Sequence, residues 1–490
     1  MEMKKISLFT LLIIFLSINL TAQDFSTHSY YQNYEKYKES SIKSKRIKNE
    51  NILPLIEKLK NSDLFEVRKL GESLLGRDIN LIKVGKGPTK ILAWSQMHGD
   101  ESTATMALFD IFNFLKADDD FNKLRNFLFE NLTIYFIPML NPDGAEEFTR
   151  RNAGMVDLNR DAARLQFPES KILKNIRDEI DPKFGFNLHD QSTYYTAGNT
   201  FKSAAISFLA PAFNYEKDIN EVRSNTMKVI VDLNNELSKI IPGHIGRYND
   251  DFEPRAFGDN LVKWGTSSIL IESGGWKNDN EKQFIRKLNF IGLLVGFESI
   301  AKGNYTKNNI ENYFSIPEND RLLFDVILRN VKFEMQNQQF ILDIAINHNE
   351  RTSKNDVTYF LGNVSEIGDL SVFYGYEEYD FSNMTLEPGK FYNDDLITNL
   401  DKDKINKLLS EGFTTFAADS NYIDSVNIAE TKINLINASI KRLPNNELQL
   451  FRNANFIIKE NGRVRYLIIN GFLVNPNAKF NSVENGILFN

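Results

Sequence analysis

The sequence predicts an α/β fold, a mixed and mostly parallel sheet with helices on both faces, followed by a β-rich accessory domain. Three observations predict it. Between about residues 62 and 301, short apolar runs bounded by turn residues alternate with longer amphipathic segments, the rhythm of a sheet covered by helices. The short runs are apolar almost throughout rather than at every second position, as strands buried on both faces require. Beyond Ala301 the texture changes, and a long strand-like run is interrupted by Asn461-Gly462, a hairpin-turn pair.

Taken in order, Lys4 and Lys5 precede the apolar run Ile6 to Leu20, which ends in Thr21, Ala22 and Gln23. A basic start, a short apolar core and small residues after it spell a secretory signal peptide over residues 1–22, with cleavage expected after Ala22. The run is shorter than a bilayer-spanning helix needs. Residues 24–61 are polar with a helical pattern, and the basic run "KSKRIK" (Lys43 to Lys48) reads as a solvated helix face. Strands are expected at Ile79–Gly85, Lys90–Gln96, Leu132–Pro138, Phe184–His189 and Ser267–Ser273. Helices are expected at Ser102–Ala117, Pro168–Ile180, within Glu216–Ile241 and at Glu281–Ala301. The polar stretch after Ala301 reads as a linker, so one domain covers 23–305 and a second covers 318–490. In the second, strands are expected at Phe333–Ile346 and, as a hairpin, within Asn455–Val474, with one helix at Asp401–Glu411 ended by Gly412.

Composition narrows the function classes. With 42% hydrophobic and 25% charged residues, 490 residues are ample for a packed core. A net charge of −7 and no extended basic stripe argue against a nucleic-acid binder. There is no cysteine. That excludes disulfides, thiolate ligands, a cysteine nucleophile and a lipid-modified cysteine, so a metal site must use His, Asp or Glu. No later run reaches the length of a membrane span, so none is expected in the mature chain.

The residues that could carry chemistry begin with "SQMHGDES", where His98 and Glu101 lie between a strand and a helix. By itself the pair reads equally well as a polar turn in which Glu101 favours the helix N-terminus. Its position at the carboxyl edge of an open α/β sheet, where sites form, raises its significance. His189 ends the strand-like "FGFNLHD", a second such edge. Two histidines and one carboxylate, with a position left for water, make a standard catalytic zinc set. Glu272 ends the apolar "SSILIES", where a buried carboxylate needs a partner or solvent. The remaining His28, His244 and His348 receive no role.

Several motifs in order, "GESLLGRDI", "HGDE", "NPDG", "RRNAGMVDLNRD", "NLH" and "LIES", resemble those of the M14 zinc carboxypeptidases, or funnelins, over residues 62–300. The resemblance implies the zinc carboxypeptidase fold and one zinc ion per chain held by His98, Glu101 and His189. It implies that Asp157 bonds the first ligand histidine and fixes its orientation. Asn159 and Arg160 would grip the substrate's terminal carboxylate, for which a planar guanidinium is suited. Arg150 would stabilise the oxyanion, with adjacent Arg151 the competing choice and the register with "DLNR" favouring Arg150. Glu272 would be the general base. Tyr248, in about the right interval before the last strand, would cap the bound substrate. Two features depart from the pattern: Met155 stands where the family commonly has glycine, and Asp190 and Gln191 follow the third ligand where many carboxypeptidases have a small polar residue. The specificity pocket is expected from Gly243 to Lys263, where "FEPRAFGDN" offers acidic, basic and apolar candidates at once.

The expected function is therefore an exported zinc metallocarboxypeptidase, periplasmic or extracellular. It would hydrolyse C-terminal peptide bonds of substrates with a free carboxylate, using a zinc-activated water and Glu272 as base. The competing expectations are a zinc deacylase or amidase on small N-acyl amino acids or peptidoglycan peptides, and an inactive peptidase-like binding protein.

Overall fold

A computed structural model of the protein describes residues 27–352, 358–399, 401–426, 433–439, 446–477 and 488–489. The signal peptide expected over 1–22 lies outside the described residues. The N-terminal sheet is built from β1 (Glu66–Glu72), β2 (Asp78–Gly85), β3 (Thr89–Ser95), β4 (Leu132–Ile137) and β5 (Phe184–Asp190). After the two-residue β6 (Thr196–Ala197), which lies outside this sheet, it adds β7 (Ile206–Leu209), β8 (Ile245–Arg247) and β9 (Ser267–Ser273). The order across the sheet is β1-β2-β4-β3-β5-β9-β7-β8. The centre, β4-β3-β5-β9, is parallel; β1 with β2, β2 with β4 and β7 with β9 pair antiparallel, and the edge strand β8 runs parallel to β7.

Two cores explain why the central strands are apolar throughout. Along β3, Ile91 and Ala93 face one way and Leu92 and Trp94 the other. The first face is covered by α1 (Thr27–Asn33), α2 (Asn49–Lys60), α3 (Thr103–Lys116) and α4 (Asn122–Asn131). Following the short α5 (Pro142–Glu146), α6 (Pro168–Ile180) packs on the opposite face; α7 (Glu221–Leu237) returns to the first, α8 (Phe257–Lys263) lies on the opposite face, and α9 (Gln283–Lys302) again on the first. The chain leaves β3 to reach β4 on one side and then returns to place β5 on the other, so a topological switch point falls at β3. A crevice opens beyond the strands' carboxyl ends at such a point.

The polar N-terminal segment holds more than its composition suggests. Tyr30, Tyr34, Tyr37, Ile42 and Ile47 are buried, and Arg286 of α9 pins the segment by donating to the carbonyls of Glu39 and Ile42. The same guanidinium pairs with Asp110 of α3, whose carboxylate also accepts from Tyr34 Oη at 2.9 Å; both charged side chains are fully buried. Removing one partner of such a pair leaves an uncompensated buried charge. Asp110→Ala is therefore expected to cost about 3–5 kcal/mol, read as a lowered denaturant midpoint at unchanged slope. The basic run 43–48 is not a helix face: it is irregular backbone, and Lys45 and Arg46 both pair with Glu350 of the C-terminal part.

The stretch expected to be a linker is packed as well. It contains α10 (Glu311–Phe314), and its Tyr305, Tyr313 and Ile316 join the first core, with Tyr313 Oη accepting from Ala210 N at 3.1 Å. β10 (Asn319–Asp320) then pairs with β6. Beyond it come β11 (Leu323–Met335), β12 (Gln338–Thr352), β13 (Thr358–Gly368), β14 (Tyr374–Asp380) and β15 (Thr385–Pro388). With the hairpin Phe456–Glu460/Arg463–Ile469 and Phe472–Val474 they form an eight-stranded sheet. The single strand expected at Phe333–Ile346 is a hairpin between β11 and β12, turning on Gln336 and Asn337, both at positive φ. The expectation of a β-rich region also missed a parallel four-stranded sheet of Lys390–Ile397, Phe413–Ala418, Asn434–Asn437 and Leu488–Phe489, flanked by helix Lys402–Ser410. Among the described residues no helix is long and apolar enough to cross a membrane.

Candidate metal centre and cleft

Three strand ends meet at the crevice. The chain leaves β3 through Gln96, at positive φ, and turns at His98 to Glu101 before α3. Gly99 is required there: a Cβ would lie 2.0 Å from the backbone of Gly144, so "HGDE" and "NPDG" touch backbone to backbone. His189 and Glu272 are register partners on adjacent β5 and β9.

His98, Glu101 and His189 are buried, and their ligand atoms all lie within 4.8 Å of one another. His98 Nδ1 is 2.8 Å from Glu101 Oε1, His189 Nδ1 is 2.7 Å from Oε2, and the two Nδ1 atoms are 3.2 Å apart. His98 Nε2 lies 3.1 Å from Asp157 Oδ1. When Nε2 carries the proton and donates it to Asp157, His98 Nδ1 presents a lone pair to a carboxylate and a second imidazole. Converging lone pairs on a buried carboxylate and two imidazoles suit a divalent cation, and the donor set fits zinc.

Charge follows the same geometry. Burial opposes charge on His98, but the Glu101 carboxylate and the Asp157 bond outweigh it and bring the imidazole up to about 9. Burial would raise Glu101, yet His98 and His189 hold it far below the usual carboxylate range. Glu272 goes the other way: burial, reinforced by the negative charge of Glu101, pushes it well above that range. Its Oε2 is buried with no hydrogen-bond partner among the described residues.

Arg150 reaches the cluster: Nη1 donates to Glu101 Oε1 at 3.0 Å and Nε to Asp157 Oδ2 at 3.1 Å. Arg151 turns outward and donates to Met155 O. Met155 has φ 60°, the left-handed region where glycine is unstrained, so the departure from the family's glycine is accommodated by backbone strain on an exposed residue. Asn159 Oδ1 accepts from Phe257 N at 2.8 Å. Arg160 lies beside Glu253, Nε to Oε2 3.3 Å, and Arg255 grips the same carboxylate. Tyr248 is half-buried just past β8, with its ring 5.8 Å from that of Tyr195. Asp190 sends a carboxylate oxygen to the Thr103 hydroxyl, and Gln191 bonds Ala204 O, Ser207 and Asn319, so both brace the loop after the third ligand.

Sequence reasoning missed Glu253 as the partner of Arg160 and Tyr195 beside Tyr248, and it left Asp259 undistinguished among the acidic candidates of "FEPRAFGDN". Asp259 is buried on α8 and accepts from Glu253 N, and burial raises it to about 7. All three lie in loops or short elements without a periodic pattern, so no local signal assigns their partners.

Residues 52–201 match the sequence model of a family described as zinc carboxypeptidase. Carboxypeptidase SOL1 of Arabidopsis thaliana is 30% identical over 113 residues, 22% of this chain and 23% of that protein. Carboxypeptidase 2 of Trichophyton tonsurans is 27% identical over 135 residues, 27% of this chain and 24% of that protein. The chain thus spans about a quarter of the length of these curated relatives. Among solved structures, a metallo-carboxypeptidase from Burkholderia cenocepacia aligns with TM-score 0.40 and 16% identity, covering 52% of this chain and 69% of that one. The stretch that matches the zinc carboxypeptidase family model, residues 52–201, is the one that carries the His98, Glu101 and His189 cluster.

Proposed function

We propose that the protein is an exported, zinc-dependent metallocarboxypeptidase that removes residues from the C-terminus of peptides. The observation that carries this reading is the buried, unpartnered Glu272 oxygen on the strand next to His189, beside a cluster of His98, Glu101 and His189 fit for one metal ion. When bound, zinc would act as a Lewis acid on the scissile carbonyl and lower the pKa of water toward neutrality. Glu272 takes the proton of the attacking water and passes it to the leaving amine. Arg150, at the mouth of the cluster with its side chain partly exposed, offers N–H donors to the developing oxyanion. Asp157 holds His98 in orientation through the Nε2 bond. Tyr248 closes over the bound peptide from the sheet edge. Export rests on the basic, then apolar, then small-residue pattern of the first 22 residues.

Asn159 and Arg160 make the reaction exo-acting, because an internal peptide bond presents no carboxylate to them. Blocked dipeptides with a free C-terminal carboxylate should be cleaved, and their C-terminal amides should not. Equal turnover of the two, followed by mass spectrometry, would sink the exopeptidase reading.

Glu253 competes with that substrate carboxylate for Arg160. The pair is partly exposed, so breaking it is worth about 0.2–1 kcal/mol. Glu253→Gln is therefore expected to lower KM for free-carboxylate substrates by up to about fivefold with kcat unchanged. A KM that stays the same or rises would remove Glu253 from substrate recognition.

A further inference from the structure

A cavity of about 330 Å³ lies between the α/β part and the C-terminal sheet, and none of the site residues above lines it. One wall follows the catalytic strands directly: Thr193 and Tyr194 come after β5, and Trp276 to Asn280 after β9. The facing wall is formed by Asp325, His348, Phe360, Tyr376 and Phe472. The walls are bonded to each other, which makes the cavity a built feature rather than a gap. Tyr376 Oη donates to Thr193 O at 2.6 Å, Tyr194 Oη to Asp325 Oδ2 at 2.7 Å, and Lys277 Nζ to Tyr376 O at 2.9 Å.

The chemistry of the lining is selective. Tyr194, Trp276, Phe360, Tyr376 and Phe472 all line it and are half-buried, and Trp276 is braced from behind by His244 and Phe284. His348 stacks on Phe472 with ring centroids 4.0 Å apart and planes 12° apart, which fixes that plate. Among the described residues lining the cavity, Val326 is the sole aliphatic, which disfavours an acyl chain. Three lysines are matched by four carboxylates, which disfavours a phosphate-rich polyanion. A pyranose ring suits what remains: flat C–H faces for aromatic plates, and hydroxyls that both donate and accept, for the exposed amides of Asn278 and Asn280. The volume lies at the lower end of the range of ligand pockets, about 300–1,000 Å³.

We infer that this cavity is a glycan-binding site. A sugar held there sits beside the loops that continue from His189 and Glu272, so a peptide attached to it reaches the catalytic cleft. That second step, which makes glycan-linked peptides the substrate class, rests on the peptidase reading; the binding itself does not.

The test is isothermal titration calorimetry of the full-length, zinc-loaded protein with three peptide-free probes: the β-1,4-linked N-acetylglucosamine tetramer, cellotetraose and maltotetraose. At least one is expected to bind saturably, and Trp276→Ala and Phe360→Ser, one from each wall, should each weaken it tenfold or more. Binding of none of the three, or binding that survives both substitutions, overturns the site. A peptide carrying the bound sugar should then be cleaved with about tenfold higher kcat/KM than the free peptide, and Phe360→Ser should erase the difference while leaving free-peptide cleavage unchanged. Equal rates in the unsubstituted protein overturn the substrate class. If no peptide is cleaved while glycan binding stands, the peptidase reading has failed and the site has not.

Discussion

Glu272→Gln is expected to lower kcat by about 10²- to 10⁴-fold, the usual contribution of a positioned general base, with KM changed far less. The substitution keeps the volume of the side chain at the end of β9 and removes only its ability to take and return a proton. The site favours such a role on physical grounds. A carboxylate at the end of a strand as buried as β9 costs free energy unless something in the cleft uses it, and Oε2 has no protein partner among the described residues. Burial and the neighbouring Glu101 charge raise its proton affinity, so it can hold a proton between the attacking water and the leaving amine. The variant should retain its metal, because Glu272 is outside the His98, Glu101 and His189 group. Activity within about threefold of the unsubstituted protein, at full metal content, would remove Glu272 from the reaction.

What was legible in the sequence, and what was not, follows from the range over which each feature is encoded. The central strands are read directly because burial on both faces makes them continuous apolar runs; β5 and β9 match their expected spans to within a residue. His98, His189 and Glu272 stand out for the same reason, as polar residues at the ends of such runs. Register with "DLNR" already favours Arg150 over Arg151; what the pattern does not carry is direction, with Arg150 reaching Glu101 and Arg151 bonding Met155 O. The β11–β12 turn was invisible because Gln336 and Asn337 take up positive φ without the glycine that usually announces it. The packed segment around Tyr313 was hidden because its core contacts are a few isolated aromatics in a polar stretch. Glu253 was hidden because its partner, Arg160, lies far away in the chain and only the fold brings them together.

The largest loss is expected on removing a metal donor. His189→Ala takes one of the three convergent donors from a site too buried for another side chain to replace it. Zinc content should fall from about one ion per chain to a small fraction after dialysis. Lewis-acid stabilisation is worth several kcal/mol and each 1.4 kcal/mol is tenfold, so kcat/KM should fall by at least about 10³-fold. Asp157→Asn supplies the graded comparison. It keeps all three donors and weakens only the bond that orients His98, so metal affinity or activity should drop by about 10- to 100-fold. Stability gives a readout independent of turnover: a ligand that binds only the folded chain raises the melting temperature, so chelation should lower Tm of the unsubstituted protein and leave His189→Ala unmoved. The same zinc content and the same chelator-dependent Tm shift in His189→Ala would show that the ion is held elsewhere, and the cluster at the β3 and β5 ends would then be no more than a buried hydrogen-bond network.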